Sequence, residues 1–306
     1  MPYPSPLDRL DASLQGLVLG DGYGQSVIWD RGALSTGDPR GPWSWTDDSE
    51  MAFSIARVLL EEGRVDQDAL AASFAEHFHE GRMYGPGMLF NYFPSVLSGE
   101  PWSSVAGSLF GGSGSFGNGS AMRVAPLGAF FADDLDVVAR EARASAEVTH
   151  TNPEAAAGAI AVALAAAWAA RGAEEELSGQ DLLARVFAAL PASEVQAGLE
   201  LVYEHGPEAD PLEVAREVGN GSRVSCMDTV PFALWVAARH LGEFRAGVRT
   251  AVSVGGDIDT LGAIVGGVLA AGTGLEGIPS EWLAQTETYP DWFLAARAAR
   301  TASSQP

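Results

Sequence analysis

Two stretches far apart in the chain place acid and hydroxyl side chains where apolar helices begin. The first, Thr46-Asp47-Asp48-Ser49-Glu50, precedes Met51, Ala52, Ile55, Val58 and Leu59 at helical spacing. The second, Gly255-Gly256-Asp257-Ile258-Asp259-Thr260, runs straight into the apolar Leu261 to Leu269. Either one alone is accounted for by capping, since Thr and Asp close helix starts and acids favour the positive helix end. Together they hold more acid than two caps use, and an unpartnered buried carboxylate costs several kcal/mol. If the two starts converge, Asp47, Asp48, Asp257 and Asp259 with the hydroxyls of Thr46 and Thr260 form an oxygen donor set. That set suits one or two hard cations such as Mg²⁺ or Mn²⁺, and its four negative charges match two divalent ions. Such a pair polarises water, orients a substrate diol and stabilises developing charge.

A second candidate is the Gly/Ser-rich segment 111–120, which includes Gly117, Asn118, Gly119 and Ser120. Successive backbone N–H groups in such a run make an anion-binding concavity, and a flexible connector has the same composition. His150, among Thr149, Thr151 and Asn152, precedes a helix expected from Pro153. It reads either as a polar residue at a helix start or as a donor to ribose or phosphate. Trp29, Trp43 and Trp45 flank the first acidic cluster and read as core, with stacking on a base as the alternative. His77, His79, His205 and His240 show no ligand spacing, and Asp228 reads as a plain helix start.

The composition excludes several classes. The chain has 306 residues, a formal charge of −22 and 18 basic residues, every one an arginine. A lysine Schiff base and a P-loop lysine are thereby ruled out, and the acidity disfavours nucleic-acid and anionic membrane surfaces. Cys226 stands alone, so neither an intramolecular disulfide nor a multi-cysteine zinc site is available, and a cytoplasmic, reducing location is expected. Residues 1–10 lack the apolar core of a signal peptide. The Ala-rich stretch 155–170 is expected to be a core helix, too short for a membrane span.

The elements that must position these residues are helices. Segments 13–20, 47–62, 68–80, 85–97, 122–131, 135–148, 153–171, 180–189, 193–205, 210–218, 229–241, 243–253 and 260–271 carry helical signals. Residues 25–45 read as a long loop. Alternating strand patterns, fixed repeats and interdomain linkers are missing, so one all-α domain over 13–296 is expected, with tails at 1–12 and 297–306.

In this order the motifs resemble the ADP-ribosylglycohydrolases, the family of the dinitrogenase reductase activating glycohydrolase. The matching pieces are Gly16 to Gly24, Thr46 to Met51, Gly117 to Gly128, Thr149-His150, Asp228 to Leu234 and Gly255 to Thr260. The resemblance implies a compact all-α orthogonal bundle, two Mg²⁺ or Mn²⁺ ions, and hydrolysis at the anomeric carbon of ADP-ribose attached to a protein side chain, arginine first, or to a small conjugate. It also implies Thr46, Asp47, Asp48, Asp257, Asp259 and Thr260 as metal ligands. Gly117, Asn118, Gly119, Ser120 and Met122 become the phosphate and ribose cradle, His150 an ADP-ribose contact, and Asp21 a structural acid. Where relatives place a catalytic Glu, residues 25–45 hold only Asp30 and Asp38, and Met83 and Tyr84 stand where others carry an acid. Asp48 and Asp257 are then the candidates for the general base. The competing expectations are a catalytically silent ADP-ribose binder and a hydrolase of another nucleotide-like glycoside or phosphoester.

Overall fold

A computed structural model of the protein describes residues 4–303, and among them there is no β-strand, only isolated bridges joining Trp43 to Thr286 and Gly117 to Ser225. The helices that build the core are α1 (Pro6–Trp29), α2 (Asp47–Glu62), α3 (Leu135–Glu147), α4 (Pro153–Glu175), α5 (Cys226–Arg239), α6 (Phe244–Ser253), α7 (Ile258–Thr273) and α8 (Asp291–Ser303). Further helices, among them Gln67–His77, Gly179–Ala189, Glu194–His205 and the short Trp102–Ser108, complete the fold.

Helix α1 begins earlier and ends later than the sequence pattern indicates. Ser5 and Asp8 form a reciprocal capping box, Pro6 pre-sets the first turn, and Arg9 and Leu10 are already buried. Residues 6–12 therefore belong to a helix where a tail was expected, and residues 25–29 to the same helix where a loop was expected. The run Gly20-Asp21-Gly22-Tyr23-Gly24 lies inside α1, although so many glycines read locally as a turn. At the other end, residue 297 falls inside α8, and Arg297 pairs with Asp11 of α1.

Tertiary contact explains why α1 tolerates its glycines. Gly16, Gly20 and Gly24 recur every four residues, on one helical stripe, and that stripe lies against the backbone of α7. A Cβ on Gly20 would stand 1.9 Å from the carbonyl oxygen of Gly262, one on Gly16 2.4 Å from that of Gly266, and one on Gly24 2.6 Å from the Cα of Asp259. The relation is reciprocal, since a Cβ on Gly262 would fall 2.3 Å from the carbonyl oxygen of Gly20. Each helical glycine costs up to about 1 kcal/mol relative to alanine, which the close backbone packing of two buried helices offsets. Among the described residues no other pair of helices packs so extensively. The seam delivers Asp21 and Asp259 to one place.

Helix α4 packs across α7, α3 and α5. It is longer than expected: Pro153–Gly172 is long and apolar enough to cross a membrane, but 83% of that stretch is buried in the fold. It is the helix of a protein core.

Replacing Gly20 by alanine forces a backbone-to-backbone clash that no rotamer relieves. Gly20→Ala is expected to destabilise by about 3 kcal/mol or more, whereas Gly107→Ala, with open space around it inside a short helix, is expected to be neutral or to stabilise by up to about 1 kcal/mol. Urea unfolding of the two variants checks the contrast.

Candidate active site

The first acidic cluster is capped from outside its own helix. Thr46 stands at the N-cap of α2, yet its side chain bonds none of that helix's N–H groups. Asp21 of α1 supplies the cap instead. Its Oδ2 accepts the backbone N–H groups of Thr46 at 2.8 Å and Ser49 at 3.2 Å, as well as the Ser49 hydroxyl. The Thr46 hydroxyl lies between Asp21 Oδ1 at 2.9 Å and Asp48 Oδ2 at 3.0 Å. Asp48 is buried, and its Oδ1 has no hydrogen-bond partner. Glu50 turns away, accepting from the His79 N–H and the Tyr84 hydroxyl, both at 2.9 Å.

The second cluster does not cap itself either. Asp257 occupies the N-cap of α7 without a side-chain cap bond. A glycine turn with φ of 72° at Gly255 and 82° at Gly256 leads into it, and its N–H is held by the carbonyl of Asn220 at 3.1 Å. Its carboxyl accepts the Asn118 amide N–H₂ at 2.6 Å, while the same amide donates to the Thr229 hydroxyl at 3.0 Å. The Thr260 hydroxyl draws the Asp257 pKa partly back down. Simple capping thus fails as the account of both starts.

The two starts form one electrostatic unit. Burial pushes Asp47 and Asp48 well above the ordinary carboxylate range, and repulsion from Asp259, Asp21 and Asp257 adds to it, alongside that between Asp47 and Asp48 themselves. Burial and Asp259 raise Asp257 to about 7, and burial and Asp21 raise Asp259. Asp21, also buried, rises to about 6 although Ser49 and Thr46 pull it partly back. Among the described residues, the side-chain donors hydrogen-bonded to Asp21, Asp48 and Asp257 are neutral: Thr46, Ser49 and Asn118.

These residues fit a bound hard cation in one respect and limit it in another. The unpartnered buried Asp48 Oδ1 and the convergence of like charges call for positive charge at this point. No group of three or more His, Cys, Asp or Glu side chains among the described residues makes a self-sufficient metal cage. An ion here would therefore take one or two carboxylates, the hydroxyls of Thr46 and Thr260, and water, which is the coordination that Mg²⁺ favours.

Beside the acids lies the glycine segment, held as a fixed loop. The Asn152 N–H bonds Ser115 O at 3.4 Å, the Cys226 N–H bonds Phe116 O at 3.1 Å, and the Gly117 N–H bonds Ser115 Oγ at 3.1 Å. A Cβ on Gly117 or Gly119 would come within 3.2 or 3.1 Å of His150 Nε2, so their absence opens the space in front of that nitrogen. Ser120 and Met122 point elsewhere: the Ser120 hydroxyl donates to Ala155 O at 2.9 Å, and the Met122 side chain sits in the core.

Asp38, one of the two loop acids, is spoken for. It pairs with Arg249 at 2.6 Å and accepts the Trp282 indole N–H at 2.8 Å and the Tyr23 hydroxyl at 3.1 Å. Burial pushes it up, but those hydrogen bonds outweigh burial and the net shift is down. Asp30 is exposed at the end of α1. Asp228 bonds Arg223 and shapes the loop before α5. Met83 is half exposed with φ of 69°, and its sulfur accepts from Gln25.

The sequence matches the ADP-ribosylglycohydrolase family from residue 2 to residue 305. The chain belongs to that family. It is 29% identical to the human ADP-ribosylhydrolase ARH3, over 95% of this chain and 93% of that one. The chicken ADP-ribosylhydrolase ARH3 is 30% identical over 94% of this chain and 91% of its own. The ADP-ribosylarginine hydrolase Tri1 of Pseudomonas putida (strain GB-1) is 26% identical over 90% of this chain and 74% of its own. Among solved structures, an ADP-ribosylglycohydrolase-related protein complex superposes with a TM-score of 0.59 at 25% identity, covering 97% of this chain and 98% of that one.

Two features of this ADP-ribosylglycohydrolase escaped the sequence reading. Phe110 and Phe116 stack with centroids 6.1 Å apart and stay 67% and 41% exposed at the edge of the glycine loop. Exposed aromatics beside Gly117 were the available signal. Arg123 is wholly buried behind His150, and an arginine directly before the apolar Val124 to Leu127 was the cue.

The raised Asp257 has a definite pH signature. Between its ordinary value of 3.8 and its folded value of about 7, the folded chain keeps a proton that the unfolded chain has released, so stability present at low pH is lost as pH rises through that window. In chelator, the melting temperature of Asp257→Asn relative to the wild type is expected to climb by several degrees, roughly, between about pH 5 and about pH 8. A difference that stays flat over that range contradicts the coupling.

Proposed function

We propose that this chain is a cation-dependent ADP-ribosyl hydrolase that cleaves the bond between the anomeric carbon of ADP-ribose and a conjugated group, with the guanidinium of an arginine side chain as the first candidate. The observation that carries this reading is the 2.6 Å bond from Asn118 to Asp257, which makes the glycine cradle and the paired acidic helix starts a single site. The names of the relatives support the ADP-ribosyl part. The ADP-ribosylarginine in the name of Tri1 and the negative potential of a −22 chain, which favours a cationic leaving group, support arginine.

In this reading Thr46, Asp47 and Asp48 at the start of α2 and Asp257, Asp259 and Thr260 at the start of α7 would hold two Mg²⁺ or Mn²⁺ ions. When bound, such ions polarise the ribose hydroxyls and an attacking water. Gly117, Gly119 and His150 receive the phosphate and ribose oxygens, and Phe110 and Phe116 offer faces on which the purine stacks. Water attacks the anomeric carbon as its bond to the guanidinium nitrogen breaks. One water proton passes to Asp257, and the leaving nitrogen takes it back, giving free ADP-ribose and free arginine. Asp257, held by the Asn118 amide where the glycine loop meets the acids, is placed for both transfers.

The test is ADP-ribose release from arginine-linked, serine-linked and small-molecule conjugates, with chelator and after Mg²⁺ is restored. Release from the arginine conjugate is expected to stop in chelator and return with Mg²⁺, and Asp259→Ala is expected to lower kcat by about 100-fold or more. No metal-dependent release from any conjugate would sink the assignment.

A further inference from the structure

Behind the glycine cradle, three buried side chains form a chain of hydrogen bonds. Arg123 Nη2 donates to the Thr149 hydroxyl at 2.9 Å, and Thr149 Oγ1 lies 2.6 Å from His150 Nδ1. Arg123 and Thr149 are completely buried, and His150 is 8% exposed. A guanidinium only donates, so one lone pair of the threonine oxygen is taken. The single threonine proton needs an acceptor in this buried place, and His150 Nδ1 is the one within reach among the hydrogen bonds present. Nδ1 is then an acceptor, and the ring proton resides on Nε2. Nε2 is the nitrogen that faces the missing Cβ positions of Gly117 and Gly119.

We propose that Arg123 and Thr149 are positioning residues that fix His150 in the tautomer protonated on Nε2, so that this N–H meets an acceptor oxygen of ADP-ribose held over Gly117 and Gly119. The inference rests on the ADP-ribose reading of the site and adds the origin of the donor. Other features agree. Arg123 is anchored independently, donating to the Ser145 carbonyl at 2.8 Å near the C-terminal end of α3, where a cation is favoured, and lying 4.5 Å from the centroid of Phe74. Burial, then the Arg123 charge, depress the His150 pKa to about 3, so the ring presents a donor without carrying a charge. A pyrophosphate is thereby bound without a proton that titrates near neutrality.

The ring nitrogens can be read directly by ¹⁵N correlation spectra of the histidine side chains, paired with calorimetric titration of ADP-ribose into the wild type, Thr149→Val and Thr149→Ser. The wild type is expected to show one neutral His150 tautomer, protonated on Nε2, unchanged between about pH 5 and about pH 8. Thr149→Val is expected to mix the tautomers and weaken ADP-ribose binding roughly tenfold, the scale of one hydrogen bond, while Thr149→Ser keeps both properties. A wild-type proton on Nδ1, a doubly protonated ring near pH 6, or a Thr149→Val protein with unchanged tautomer and affinity would overturn the proposal. If Thr149→Val does not fold, the wild-type spectrum alone decides the tautomer. A wild type with the Nε2 tautomer that binds no ADP-ribose overturns the ligand reading and leaves the relay supported.

Discussion

The contact on which the structure depends is the backbone-to-backbone seam between α1 and α7. Gly16, Gly20 and Gly24 on one helix and Gly262 and Gly266 on the other leave no side chain between them. Two helices held this close fix the relative height of everything they carry, and what they carry is Asp21, Asp257, Asp259 and Thr260. Asp21 then reaches sideways to cap α2, which brings Thr46, Asp47 and Asp48 to the same point. A packing constraint thus becomes an electrostatic one.

That electrostatic constraint is severe. Burial pushes five gathered aspartates upward, and the charges of their neighbours push four of them further, in a molecule whose net charge already opposes anions. On the proposed reading, the site reconciles acidity with an anionic ligand by separating tasks. Carboxylates occupy one side, where positive charge is called for. Glycines, an amide and a neutral imidazole occupy the other, where an anion meets donors and little local negative charge. Asn118 is the hinge between these halves, because its one amide group bonds Asp257 and Thr229 together.

Much of this was legible in the sequence, and the parts that were not have physical reasons. The two acidic helix starts, the glycine loop and the all-α class follow from residue type and period, because apolar stripes and misplaced charges are local signals. The length of α1 was not legible: the glycines around Asp21 and Tyr23 look like a turn until the facing glycines of α7 are considered, and that pairing spans most of the chain. The split between capping and chemistry was also hidden, since the decisive cap on α2 comes from another helix. Ser120 and Met122 share a motif with Gly117 and Gly119, yet the short turn at Asn118–Ser120 sends their side chains into the core. Asp38 looked free in a loop, and only the fold reveals Arg249, Trp282 and Tyr23 around it.

The central claim is that α2 and α7 contribute to one cation site. Calorimetric titration of Mg²⁺ into the wild type, Asp48→Asn and Asp259→Asn, repeated in buffers of different ionisation enthalpy, tests it most directly. Saturable binding that releases protons in the wild type, and that weakens by roughly tenfold or more in both variants, is the predicted result. Binding that survives intact when either helix loses its carboxylate, or that is absent from the wild type, would contradict the account.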